Sequence, residues 1–85
     1  MKFSKEAVQH YLTLVQDDNP IHVDIVPGQF VVEKVWQILG RDARTYQVVY
    51  KCPIWIDEAL DIEGKGQTIR VVNKKGDEKL VIRWE

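Results

Sequence analysis

Eighty-five residues suffice for one domain, taken here as 1–85, and leave no room for a second. With 45% hydrophobic and 29% charged residues, a formal net charge of −1 and no basic patch, the chain has globular composition and lacks the footprint of a nucleic-acid binder. Cys52 is the only cysteine, no signal peptide is visible, and no apolar run approaches the roughly 20 residues of a membrane span, so a soluble cytoplasmic protein is expected.

The first element reads as a helix. Ser4 is placed to cap it, and Phe3 and Val8 occupy the two positions of a hydrophobic staple. Ala7, Val8, Tyr11, Leu12, Leu14 and Val15 fall on one face at helical spacing. The helix should stop near Gln16, because Asp17-Asp18-Asn19-Pro20 favours turns and Pro20 restricts Asn19 to extended geometry. A second helix is expected from about Gln29 to Leu39, after Pro27-Gly28 and before Gly40. Its polar positions Gln29, Glu33 and Gln37 form one narrow stripe, and apolar residues cover most of the rest. Such a helix is usually enclosed by other structure.

Strands follow. Tyr46, Val48, Tyr50 and Cys52 alternate with Thr45, Gln47, Val49 and Lys51, giving two unlike faces. Pro53 marks an edge or break. Ile54 to Glu63 reads as a second extended piece bent around Asp57-Glu58. Gln67–Asn73 and Glu78–Trp84 read as a hairpin, with Leu80, Ile82 and Trp84 on one face of its second arm. Helices first and strands afterwards predict an α+β fold. With mostly strands left to enclose the second helix, the sheet must wrap around it, which is the hotdog architecture. A core this small makes oligomerisation a common remedy, and bare strand edges favour an isologous homodimer.

The chemically informative segment is Asp17-Asp18-Asn19-Pro20-Ile21-His22. Asp17 and His22 flank a proline turn that can aim both side chains into one site. A carboxylate can orient an imidazole there, and either group can move a proton to or from water. Turn residues and a structural histidine explain the same letters. Two histidines without metal-ligand spacing give no argument for a metal.

Asp-x-Asn-Pro-Ile-His following a helix resembles the motif of the MaoC-like, (R)-specific enoyl-CoA hydratase family. Pro27-Gly28 opening an apolar helix resembles the start of that family's central helix. Tyr46 to Leu60, with Tyr50-Lys51-Cys52-Pro53 and Asp57-Glu58-Ala59-Leu60, resembles its aromatic- and proline-bearing strand and the turn after it. Asn73-Lys74-Lys75-Gly76 resembles its late hairpin. The resemblance implies a hotdog fold and an acyl-thioester substrate carried on CoA or acyl carrier protein, with no separate cofactor. It implies that Asp17 and His22 activate the water that adds to an enoyl thioester, that Asn19 supports the site, and that the Gly28 amide stabilises the developing enolate. The sequence departs from the family in having Val15-Gln16 before the aspartate, where Ser-Gly is usual. Only Val23 to Pro27 separate His22 from Gly28, where the family has a longer, pocket-shaping segment. A shortened member is expected.

Three functions follow as expectations: a hydratase or dehydratase using Asp17 and His22, a hotdog thioesterase using Glu33, or a catalytically silent acyl-thioester-binding dimer. Glu33 also fits the polar stripe of its helix. Cys52 is expected in the core, His10 on an exposed helix face, and Trp36, Trp55 and Trp84 in a core or interface. Lys51, Lys65, Arg70, Lys74 and Lys75 could meet CoA phosphates or simply be solvated.

Overall fold

The computed structural model describes residues 1–15, 24–41 and 45–84. Helix α1 spans Lys5–Val15 and begins as its sequence predicts. Ser4 Oγ accepts the Ala7 N–H at 3.1 Å, and the Ser4 carbonyl accepts the Val8 N–H at 3.0 Å. Phe3 and Val8 are both buried, as the staple requires. The apolar face does not stay covered to the end of the helix: Leu14 and Val15 are 68% and 49% exposed. Periodicity identifies which residues share a face, but not whether anything packs against the last turn.

Helix α2 spans Gly28–Leu39. It ends on Gly40, whose left-handed backbone (φ 65°, ψ 30°) lets the Gly40 and Arg41 amides reach the Gln37 and Trp36 carbonyls at 3.2 and 3.1 Å. Val31, Val32, Val35 and Trp36 are buried, while Gln29, Glu33 and Gln37 form the exposed stripe. Ile38 and Leu39 are exposed, so the enclosure stops before the final turn. Phe30 joins the helices. Its ring stacks on Tyr11 with centroids 4.5 Å apart and meets Phe3 edge-on at 5.0 Å.

Strands β1 (Tyr46–Tyr50), β2 (Leu60–Lys65), β3 (Thr68–Asn73) and β4 (Glu78–Trp84) form an antiparallel sheet in the order β1-β4-β3-β2. One face carries Leu60, Ile69, Val71, Leu80 and Ile82 into a core shared with Val31, Val32, Val35 and Trp36 of α2. Val48, Tyr46, Ile62 and Trp84 pack around its margin. The β3–β4 hairpin is closed by Asn73. Its Oδ1 accepts the Lys75 and Asp77 amides at 3.0 and 2.9 Å, and Gly76 takes the positive φ (88°) that the turn needs. The β3–β4 register slips between Val71 and Val72: Val71 faces Leu80 but Val72 faces Glu78, leaving Lys79 as the extra residue of a bulge.

The two outer edges of the sheet differ. Beside β2, Met1 and Leu60 exchange two hydrogen bonds of 2.9 Å, and the Asp57 N–H donates to the Phe3 carbonyl at 2.8 Å. The outer edge of β1 has no strand beside it among the described residues.

Candidate active site

The start of α2 is fixed by a short ladder. The Val26 N–H donates to the Ile54 carbonyl at 2.8 Å, and the Ile56 N–H to the Asp24 carbonyl at 3.0 Å, on either side of the antiparallel Ile25–Trp55 pair. The chain then turns at Pro27, whose carbonyl accepts the Phe30 and Val31 amides. No side chain caps this end, and the Gly28 and Gln29 amides have no acceptor among the described residues. First-turn amides and the helix dipole together favour negative charge at such a place.

Next to Gly28 lies an open cavity of about 350 Å³. Ile25, Val26, Ile54 and Leu80 give it apolar walls, and Tyr50 and Cys52 stand at its rim. Tyr50 is the last residue of β1, and its ring lies flush against Gly28. A Cβ on Gly28 would run into Tyr50 Cε1 and stand 2.9 Å from Cζ. Partial burial, with Tyr46 nearby, holds the Tyr50 phenol above its ordinary pKa.

A second polar feature supports the cavity wall. Lys79, only 6% exposed, extends its ammonium from the bulge to the Pro53 carbonyl at 3.0 Å and to Glu58 Oε2 at 3.0 Å. The other Glu58 oxygen accepts the Trp55 N–H at 3.1 Å, and Asn73 Nδ2 approaches Oε2 at 3.3 Å. Burial pushes the Glu58 carboxyl up, but the bonds from Trp55, Lys79 and Asn73 outweigh it and hold the group below the usual carboxylate range. This network ties Pro53–Trp55, of which Pro53 and Ile54 wall the cavity, to β4 and the hairpin. Strict alternation along β4 would have turned Lys79 outward; the bulge that buries it left no sign in the sequence.

Of the residues singled out from sequence, Asp17, Asn19 and His22 lie outside the described residues. Gly28 sits at the cavity, at the start of α2. Glu33 is exposed on the polar stripe, in a different groove shared with Gln37, Arg41 and Tyr46. Cys52 is a correction: it is exposed, because β1 ends at Tyr50 and the alternation that assigned Cys52 to the core no longer applies. Its amide and that of Lys51 both donate to the Lys79 carbonyl, at 3.2 and 2.9 Å. Trp36 is buried, Trp84 half-buried and Trp55 49% exposed. His10 is exposed as expected. Several surface cations are already paired: Lys51 with Glu78, Arg70 with Glu63 and Glu78, and Lys74 with Asp61.

The enclosed helix and antiparallel sheet define an α+β protein of the hotdog fold. No family model and no curated protein matches the sequence. Among solved structures the chain is similar to an (R)-hydratase from A. caviae involved in PHA biosynthesis, with a TM-score of 0.73 over 100% of this chain and 90% of that one. The two sequences are 17% identical, so the likeness is one of fold. No helix among the described residues is long and apolar enough to cross a membrane.

Proposed function

We propose that the protein hydrates an enoyl thioester, or dehydrates the corresponding 3-hydroxyacyl thioester, with CoA or acyl carrier protein as part of the substrate and no other cofactor. The observation that carries this reading is the start of α2, which no side chain caps among the described residues and where Gly28 borders an apolar cavity of about 350 Å³. The Asp17-Asp18-Asn19-Pro20-Ile21-His22 motif lies a few residues upstream. In this reading Asp17 and His22 take a proton from water as its oxygen bonds to the β-carbon. The double-bond electrons move onto the thioester as an enolate, which the Gly28 N–H stabilises, and the α-carbon then receives a proton. Asn19 supports the pair through hydrogen bonding. Glu33 has no part in it, and its position in a separate groove gives the thioesterase alternative no support.

The outer edge of β1, which has no strand beside it among the described residues, further supports a homodimer. For the reaction, purified protein should consume crotonyl-CoA or a longer enoyl-CoA with loss of the conjugated thioester absorbance. Asp17→Asn and His22→Ala should each remove most of the turnover with the fold intact, and Glu33→Gln should leave it. The loss belongs in kcat, because these groups act on the reacting water in the transition state. Release of free thiol that Glu33→Gln abolishes would instead establish a thioesterase. Absence of both reactions across a panel of chain lengths would leave a silent binding protein.

A further inference from the structure

We propose that Tyr50 determines the size of the acyl group the cavity accepts, through the bulk of its ring at the rim beside Gly28. The inference rests on the acyl-thioester reading above and adds a specificity residue to it. Three observations converge on this side chain. Its ring occupies the space directly in front of the Gly28 Cα, so a thioester held by the Gly28 amide must lie alongside it. The same ring lines the cavity whose walls are Ile25, Val26, Ile54 and Leu80. It also belongs to the last residue of an edge strand and is 55% exposed, so it can be exchanged without opening the core.

The cavity, at about 350 Å³, stands at the lower end of the roughly 300–1,000 Å³ usual for small-molecule sites. With the ring in place it suits a short acyl group. Ile54, Leu80 and Val26, each under 5% exposed, belong to the core and leave little freedom to widen from that side. Among the exposed lining residues, Tyr50 is the one whose ring lies against Gly28. Removing its ring adds apolar volume next to the thioester position, and added methylenes of a longer chain gain burial there.

The test compares wild type, Tyr50→Ala, Tyr50→Leu and Tyr50→Phe. Binding of saturated butyryl-CoA and octanoyl-CoA is measured by titration calorimetry, and hydration of the matching enoyl-CoAs is followed in parallel. The CoA part is common to both ligands, so the ratio of affinities reports on the acyl group. Tyr50→Ala should raise the octanoyl-to-butyryl ratio about tenfold, the effect of roughly two newly buried methylenes. Tyr50→Leu should give a smaller rise, which keeps the test available if the alanine variant folds poorly. Tyr50→Phe should keep the wild-type ratio. An unchanged ratio in the alanine and leucine variants overturns the proposal, as does an equal rise in Tyr50→Phe, which would point to the hydroxyl. A shifted ratio without hydration of any enoyl-CoA refutes the hydratase reading and leaves the role of Tyr50 standing. Failure of wild type to bind either acyl group, offered on CoA and on acyl carrier protein, overturns both.

Discussion

Adding a Cβ at Gly28 has two opposing effects on stability. Alanine is favoured over glycine inside a helix by roughly 0.5–1 kcal/mol. Against this, the new methyl collides with the Tyr50 ring, and overpacking typically costs about 1–3 kcal/mol. The lower end applies, because Tyr50 is 55% exposed and can swing outward. Gly28→Ala should therefore destabilise by no more than about 1 kcal/mol in urea titrations. In a Tyr50→Ala background the collision is gone, and the same change should be neutral or stabilising. The double-mutant cycle should show coupling of about 1 kcal/mol, and additive changes would mean that the ring does not press on Gly28. The cycle also alters what intolerance at this position signifies. In the hydratase reading a glycine here lets the backbone approach the thioester closely, and otherwise it is a plain helix-entry residue; the structure adds a packing reason, so only loss of activity beyond the loss of stability speaks for the ligand. Such a long-range contact, between β1 and the start of α2, has no local sequence pattern to reveal it.

Among the elements, those specified by short-range patterns were legible. The Ser4 cap and Phe3–Val8 staple, the Gly40 stop, and the alternation of β3 and β4 around the Asn73 turn all depend on residues within a few positions of each other. Features set by distant partners were not. Cys52 was misplaced because Pro53 marks a break only after it, whereas β1 already ends at Tyr50; the burial of Lys79 went unread because its bulge arises from the register of β3 against β4. The motif residues Asp17, Asn19 and His22 remain legible in sequence alone. The Lys79–Glu58 pair makes its own prediction. Lys79→Met leaves a largely buried carboxylate without its cation and should cost on the order of 3 kcal/mol, whereas adding Glu58→Leu should recover much of that. The Glu58 pKa in the folded protein lies below the value of roughly 4.3 for an unfolded chain. Its contribution is therefore complete above that value and is lost as pH falls through the folded pKa. Urea midpoints measured down the acid limb should fall less steeply in Glu58→Gln than in wild type. Equal slopes would show that the carboxylate is not held by this network.

For the whole molecule, the question is what becomes of the sheet edges. Met1–Phe3 run beside the start of β2 and take up the amide and carbonyl of Leu60, its first residue. Beside β1 no such segment lies among the described residues, and Val49 and Tyr50 are 47% and 55% exposed on that strand. An uncovered edge with apolar side chains is a template for pairing with a further strand. Two copies joined antiparallel through β1 would close this edge on itself with the two-fold symmetry most soluble oligomers adopt. That arrangement would also bring a partner strand close to Tyr50 and the Gly28 cavity. Light scattering at micromolar concentration should therefore give twice the mass of the chain. Val49→Lys would set like charges near each other across the joined edge, and should shift the protein toward monomer at low salt more than at high salt. The far-ultraviolet circular dichroism should stay the same, since Val49 is half exposed and contributes little to the core. A wild-type protein that remains a folded monomer at these concentrations would require β1 to be protected by its own chain, and would remove the partner from any account of the site.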